Sequence, residues 1–163
     1  MRVASETILR FFFEAMQHGY ASGNPPSQSA NDTYSKEFVY ERGDFKLRDR
    51  WLSIPGSIRS SGETIIWHKG VPVWFMSYYG HYPPVAIHAL KHALNEMYVV
   101  RSEFLGGRGP RFFEYEDGLV YLNTPSEHSS FDWFRGTEEI VQRQNKNPFM
   151  KHGRHDYMGG RLS

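Results

Sequence analysis

The sequence lacks cysteine, which excludes disulfides, thiolate zinc sites and cysteine nucleophiles. It also lacks a charge excess, because 19 basic side chains face 18 acidic ones and the formal net charge is +1. No field of the whole molecule therefore directs it to nucleic acid or to an anionic membrane. No apolar run approaches the length of a membrane span, and Glu6 and Arg10 interrupt the apolar N-terminal stretch, unlike a secretory signal. We expect a cytoplasmic protein.

Aromatic residues are abundant, with 12 Phe, 10 Tyr and 4 Trp among 163 residues. This composition is typical of chains that bury a core, and the length is that of one ordinary domain. We therefore predict a single α+β domain over residues 1–163. Apolar residues at helical spacing predict an N-terminal helix over 5–18, within a segment 1–20, and a second helix over 84–100 that opens at Pro83 and Pro84.

Two stretches of the chain repeat one another. FVYERGDFKL, residues 38–47, and FEYEDGLVYL, residues 113–122, share five residue types at matching places. The matching pairs are Phe38/Phe113, Tyr40/Tyr115, Glu41/Glu116, Gly43/Gly118 and Leu47/Leu122. Each glycine follows a polar residue between two apolar runs, which predicts a β-hairpin turn. Two unrelated hairpins with the same turn chemistry are the alternative explanation.

The similarity extends beyond the hairpins. Gly62 follows Gly43 by 19 positions and Gly136 follows Gly118 by 18, and Ile66 and Ile140 each come four positions later. We therefore predict two tandem antiparallel β-meanders, over 37–80 and 111–158, in a pseudo-twofold arrangement with the helix 84–100 between them. In the second meander we expect one strand through Ser129–Arg135 and another beginning at Glu138.

Three blocks, ILRFFFEAMQHGYASG, YERGDFKLRDRW with GETIIWHKGVPVWFMSYYG, and FLGGRGPRFFEYEDGLVYLN with WFRGTEEI, resemble a bacterial domain family of unknown function. Its members occur alone or fused behind helix-turn-helix regulators. The resemblance covers about residues 8–140 and implies no catalytic residues. The association with DNA-binding domains implies a role in sensing an effector.

The strand VPVWFMSYY, residues 71–79, is apolar on both faces. One interpretation is that Trp74 and Tyr78 form an aromatic wall for a flat ligand, because such rings combine stacking area with a polar edge. The other is that a helix covers the second face. In a groove between the two meanders we expect Tyr40 with Tyr115, and Trp74 with Trp133.

Two stretches, one rich in glycine and one rich in serine, each contain an arginine that could bind an anion. FLGGRGP places Arg108 among three glycines, and SIPGSIRSSG places Arg59 among serines. Converging backbone N–H groups and an arginine fork would hold an anion. The alternative for the first stretch is a flexible link with Arg108 in solvent, since its spacing is not a P-loop.

No metal site or cofactor is expected. His88 and His92 have the spacing of two zinc ligands, but both lie off the apolar stripe of their helix and no H-E-x-x-H motif is present. The Ser, His and Asp of EHSSFDW are too close along the chain to meet as a triad. The C-terminal tail is basic and contains Phe149 and Tyr157, so we leave a final strand open.

The leading hypothesis is a non-catalytic module that binds or sequesters a small planar anion, such as a nucleotide-derived signal. Its predicted site residues are Tyr40, Arg59, Trp74, Tyr78, Arg108, Tyr115 and Trp133. One alternative is a hydrolase or lyase acting through carboxylates such as Glu63 and Glu138. Another is a protein-interaction or antitoxin-like module that uses an exposed aromatic face. A homodimer is one option for its assembly.

Overall fold

A computed structural model describes residues 3–19, 26–28, 32–143 and 150–162. Its elements in chain order are two helices, α1 Ser5–Met16 and α2 Pro84–Asn95, and nine strands: β1 Ser27–Gln28, β2 Ser35–Arg42, β3 Phe45–Ser53, β4 Arg59–His68, β5 Val71–His81, β6 Phe112–Glu114, β7 Leu119–Pro125, β8 Trp133–Gln142 and β9 Met150–Arg161. A π-helical turn, Glu96–Arg101, extends α2. Both predicted helices are therefore present, and the fold is α+β as expected.

All nine strands form one antiparallel sheet in the order β1-β2-β3-β4-β5-β9-β8-β7-β6. Strands β2 to β5 form one meander and β6 to β9 form another. The two meanders join through their last strands, where Tyr78 of β5 pairs with Tyr157 of β9. The last strand, which the sequence left open, thus lies at the centre of the sheet.

One predicted boundary is wrong. The stretches Ser129–Arg135 and Glu138 onward do not form two strands, because β8 runs without interruption from Trp133 to Gln142. Gly136 lies inside this strand and not in a turn. A Cβ added there would collide with the hydroxyl of Tyr157 and the backbone of Thr124. The glycine therefore leaves space for the ring of the neighbouring strand.

The helices pack on one face of the sheet. Phe11 of α1 stacks on Phe45 with ring centroids 4.9 Å apart, and Phe12 contacts Trp74 at 5.2 Å. From α2, the predicted apolar stripe is buried, namely Ala86, Ala89, Leu90, Ala93 and Leu94. Because side chains alternate along a strand, one set of β5 residues, Trp74, Met76 and Tyr78, faces these helices and is buried. On the opposite face Val71 and Tyr79 are exposed.

The register corrects several predicted equivalences, among them Leu47/Leu122, Phe38/Phe113 and Tyr40/Tyr115. Leu47 pairs with Ile66 in the first meander, and Tyr121 pairs with Ile140 in the second. Tyr40 lies opposite Leu47, whereas the residue opposite Tyr121 is Phe113. Tyr115 therefore does not occupy the place of Tyr40. The reason is that the second turn, a 3₁₀ turn over residues 116–118, is one residue longer than the first.

Candidate functional site

The loop that contains Arg108 is buried. Residues 106–110 are all shielded from solvent, and Arg108 itself is only 7% exposed. Its glycines allow this close packing: a Cβ on Gly107 would collide with the Tyr157 hydroxyl, and one on Gly109 with the Tyr121 hydroxyl. The alternative of a flexible link with Arg108 in solvent is therefore wrong.

Arg108 is held by an ion pair beneath α2. Its Nη1 donates to Glu138 Oε1 at 2.8 Å, and the other carboxylate oxygen accepts a 2.8 Å hydrogen bond from Tyr121. Glu138 is fully buried. Burial alone would raise the pKa of Glu138, but Arg108, His155 and Tyr121 together hold the pKa of this carboxyl below its ordinary value. Glu138 thus neutralises the charge of Arg108.

His155 completes this buried cluster. Its Nδ1 lies 3.0 Å from Arg108 Nη1 and 3.2 Å from Glu138 Oε1, and its Nε2 lies 3.1 Å from the Ser60 hydroxyl. Burial lowers the pKa of His155, Arg108 lowers it further, and Glu138 partly opposes both. The ring is therefore neutral at physiological pH.

The guanidinium of Arg108 lies over the ring of Tyr78, with its Cζ 3.9 Å from the ring centroid. Tyr78 in turn covers Gly62 of β4, where a Cβ would collide with the ring. The guanidinium covers this face of the Tyr78 ring in a cation–π contact. A ligand that approaches from this side would therefore contact Arg108 before the ring. Tyr78 thus holds the guanidinium in position.

A cavity of about 790 Å³ opens between α2 and strands β3 to β5, above this cluster. Its described lining is Met16, Pro26, Lys36, Asp49, Trp51, Ser53, Gly56, Ser57, Ile58, Arg59, Ser60, Thr64, Met76, Tyr78, Tyr82, Pro84, Ile87, His88, Leu90, Lys91, Leu94, Tyr98, Arg108 and His155. This size is in the range of cavities that hold a small-molecule ligand.

Charge is distributed unevenly along the cavity. Lys36 and Arg59 are exposed at its mouth, and Lys91 of α2 is half-buried beside them. At its floor the positive Arg108 is paired with Glu138. Among the described lining residues Asp49 is the one carboxylate. The mouth is therefore basic and the floor is polar without a positive excess.

Three predicted site residues meet in this cavity: Arg59, Tyr78 and Arg108. Trp74 does not line it. It is fully buried, its Nε1 donates to the Phe131 carbonyl at 2.9 Å, and its ring stacks on Phe131. Trp74 is therefore a core residue, because the face of β5 that carries it is covered at that position by α1.

Tyr40, Tyr115 and Trp133 also lie elsewhere. The hydroxyl of Tyr40 donates to Glu14 of α1 at 2.7 Å, and Tyr115 packs against His92 with ring centroids 4.8 Å apart. Trp133 is 52% exposed at the start of β8. These three do not line the cavity, so the predicted groove with paired aromatics from both meanders is not the site that the structure shows.

The sequence reasoning missed Asp49, Thr64, Trp51 and Tyr98. Thr64 Oγ1 donates to Asp49 Oδ1 at 2.8 Å, and both residues are buried. Burial raises the pKa of Asp49, and the hydrogen bond from Thr64 and the charge of Arg108 oppose that rise. The available signal was strand alternation, since Asp49 falls between Leu47 and Trp51 on the core side of β3.

The two histidines of α2 lie in different places. His88 lines the cavity, whereas His92 packs against Tyr115. Within the described ranges, the structure holds no group of three or more His, Cys, Asp or Glu side chains placed to bind a metal ion. No described helix is both long enough and apolar enough to cross a membrane.

Residues 49–162 match a protein family described as a domain of unknown function, DUF5680. This chain belongs to the DUF5680 family. No curated protein and no solved structure matches it. The DUF5680 match runs from β3 to β9 and so includes most of the cavity wall, among it Asp49, Arg108 and His155. Met16, Pro26 and Lys36 precede it.

Proposed function

We propose that this protein binds a small planar anion, without turnover, in the cavity under α2. The observation that carries the proposal is the split of charge between mouth and floor. Lys36 and Arg59 place positive charge at the mouth, whereas Glu138 already neutralises Arg108 below. An anionic group therefore gains most at the mouth, where its charge is attracted and stays partly hydrated.

Trp51 gives the cavity a stacking surface. It is half-buried on β3, and it lies opposite Lys36 on β2 and Gly62 on β4. The indole lines the cavity next to basic side chains, and this combination suits an aromatic ring joined to a phosphate or carboxylate. A nucleotide-derived signal, whether sensed or sequestered, has this chemistry.

This proposal changes the role of Arg108. Sequence reasoning assigned it to the anion. Because the guanidinium is buried and bonded to Glu138, we now assign anion attraction to the mouth and orientation of the ligand's inner end to Arg108. Trp51 takes the stacking role that was predicted for Trp74.

The test is calorimetric titration with mono-, di- and cyclic nucleotides at two salt concentrations. We expect a ligand that binds more tightly than about 100 μM, which corresponds to about −5.5 kcal/mol. Arg59→Gln and Lys36→Gln should each weaken binding several-fold and reduce its salt dependence, because each removes a partly exposed charge. Arg135→Gln, on the opposite face of the sheet, is the matched control and should change neither.

Two further measurements limit this proposal. Ligand recovered after denaturation should be chemically unchanged, since turnover would favour the enzyme alternative. If no nucleotide binds with a dissociation constant below about 100 μM, the proposed function is rejected. Glu63 and Glu138 do not meet as the carboxylate pair that the enzyme alternative needs. Glu63 binds Arg48 on the uncovered face of the sheet, whereas Glu138 is buried on the face that the helices cover.

A protein-interaction role has one specific observation in its favour. The sheet face opposite the helices carries exposed apolar side chains, Leu52, Tyr79, Trp133 and Met158. A depression of about 840 Å³ lies there, with Arg50, Glu63, Arg135 and Asp156 among its lining. Light scattering of the purified protein tests this role: a stable dimer that Tyr79→Ser with Met158→Ser dissociates would support it.

The internal duplication, the cellular location and the effector-sensing role are further parts of the proposal. We infer that the two meanders arose from one unit, since Gly62 faces Tyr78 and Gly136 faces Tyr157 in the same register. Superposition of residues 37–79 on 111–158 tests this, and failure to superpose would reject it. A cytoplasmic location and an effector-sensing role beside helix-turn-helix regulators also remain proposals.

A further inference from the structure

Three hydrogen-bonding groups at the cavity floor are only partly used. Asp49 accepts from Thr64 through Oδ1, and within the described residues Oδ2 has no hydrogen-bond partner. The Tyr98 hydroxyl is buried and also has none among those residues. Arg108 makes its described hydrogen bonds through Nη1. One acceptor and two donors are therefore left at one end of the cavity.

These groups come from different elements but lie near one another. Asp49 is on β3, Tyr98 on the π-helical turn after α2, and Arg108 on the loop before β6. All three line the same cavity. Burial raises the pKa of the Asp49 carboxyl and of the Tyr98 hydroxyl, and Arg108 lies close enough to both groups to oppose that rise. The floor thus presents an acceptor and donors to one cavity.

A purely structural role explains Asp49 poorly. A buried carboxylate costs free energy unless it is paired, and one hydroxyl from Thr64 is a weak partner for a charge. Arg108 is bonded to Glu138 and is not ion-paired with Asp49. A ligand N–H donor directed at Oδ2 would supply the second hydrogen bond, of the charge-assisted kind that is the stronger class.

We propose, resting on the function above, that Asp49 selects a nucleobase-type edge by accepting an N–H from it while Arg108 and Tyr98 donate to the adjacent carbonyl or ring nitrogen. The ligand then enters base first and leaves its phosphate at Lys36 and Arg59. Purines and pyrimidines both present such neighbouring donor and acceptor atoms on one edge. Asp49 is accordingly a specificity-determining residue.

The test compares Asp49→Asn with the wild type. The probes are the 5′-monophosphates of guanosine, adenosine, uridine and cytidine, with ribose 5-phosphate as the ligand that lacks a base. Asparagine keeps the shape and an oxygen for Thr64, but it turns an amide donor toward the ligand. We expect the preference for the best nucleotide over ribose 5-phosphate to fall by about tenfold or more. Ribose 5-phosphate itself should bind within about twofold of wild type, because its contacts are at the mouth.

Asp156→Asn is the matched control. Asp156 also accepts a hydrogen bond from a threonine on the neighbouring strand, Thr137 at 3.0 Å, but on the uncovered face of the sheet. It should leave the preference unchanged. Should Asp49→Asn fail to fold, the wild type is titrated with a form of its best base in which every N–H of the recognised group is replaced by N-methyl, so that an exocyclic amine is dimethylated and no donor is left. A loss of about tenfold is again expected.

The outcomes separate the two proposals. If neither nucleotides nor ribose 5-phosphate bind, the proposed function is rejected. If nucleotides bind and Asp49→Asn keeps their preference, or if the N-methylated base binds as well as its parent, this inference alone is rejected. Equal affinity of the wild type for ribose 5-phosphate and for every nucleotide also rejects it, since the base would then not be read.

Discussion

At the scale of single residues, Glu138 connects the side chains of the cavity floor. It is fully buried and accepts hydrogen bonds from Arg108 and Tyr121 while lying beside His155. The group it holds in place, the Arg108 guanidinium, forms the cavity floor. A buried ion pair adds little net stability, but removing one partner leaves the other charge unpaired.

Glu138→Gln should therefore lower the free energy of unfolding by about 3 kcal/mol. Glu63→Gln is the matched control, because Glu63 pairs with Arg48 on the uncovered face, where its side chain is 43% exposed. That change should cost less than about 1 kcal/mol. Urea denaturation at pH 7 measures both, and equal losses would contradict the central role of Glu138.

The contribution of the Arg108–Glu138 pair to the free energy of unfolding depends on pH, and the sign follows from the pKa of Glu138. The folded-state pKa of Glu138 lies below the ordinary carboxyl value of 4.5. Its contribution is therefore complete above the unfolded pKa and is lost as the pH falls through the folded one. The difference in stability between wild type and Glu138→Gln should accordingly shrink only below about pH 4.5.

The sequence predicted individual site residues correctly only where the local pattern of residues determines their position. Arg59, Tyr78 and Arg108 were predicted for the site and do line the cavity. Asp49, however, was not among the predicted site residues. Strand alternation separates it from Arg48, since Asp49 is buried while Arg48 faces Glu63 on the other side. Ionic partners from distant segments, such as Glu138 for Arg108, leave no local signal.

At the scale of elements, the hairpin turns are the best predicted feature. Gly43 and Gly118 both have positive φ, +58° and +73°. Both helices follow from apolar spacing, and Pro84 stands in the first turn of α2 as expected. The break predicted between Arg135 and Glu138 was wrong, because Gly136 lies within β8, where it faces Tyr157.

Gly43 allows the turn conformation to be tested by itself. A Cβ added at Gly43 would have no atom within 4 Å, so any cost of a side chain there is conformational. Gly43→Val should destabilise the protein by about 1 to 2 kcal/mol, because a β-branched residue is strained at positive φ. Gly43→Asn should cost less, since asparagine tolerates this region. Thermal unfolding compares them, and equal costs would argue against the turn conformation.

At the scale of the whole molecule, the decisive contact is between the two last strands of the meanders. The sequence indicates two similar units but contains no local signal for β5 pairing with β9, because that contact joins residues about 80 positions apart, such as Tyr78 and Tyr157. The cavity depends on this pairing, since His155 of β9 reaches Ser60 of β4 across β5.

Amide hydrogen exchange should reveal this arrangement. Strands β5 and β9 are hydrogen-bonded on both sides, whereas β6 is a three-residue strand at the edge of the sheet. We expect the amides of β5 and β9 to exchange only through global unfolding and those of β6 to exchange through local opening. Suppose instead that β9 exchanged much faster than β3 and β4. That result would contradict the prediction, because it would mean that the second meander opens independently of the first. The cavity floor, which contains Arg108, Glu138 and His155, would then be lost whenever the second meander opens.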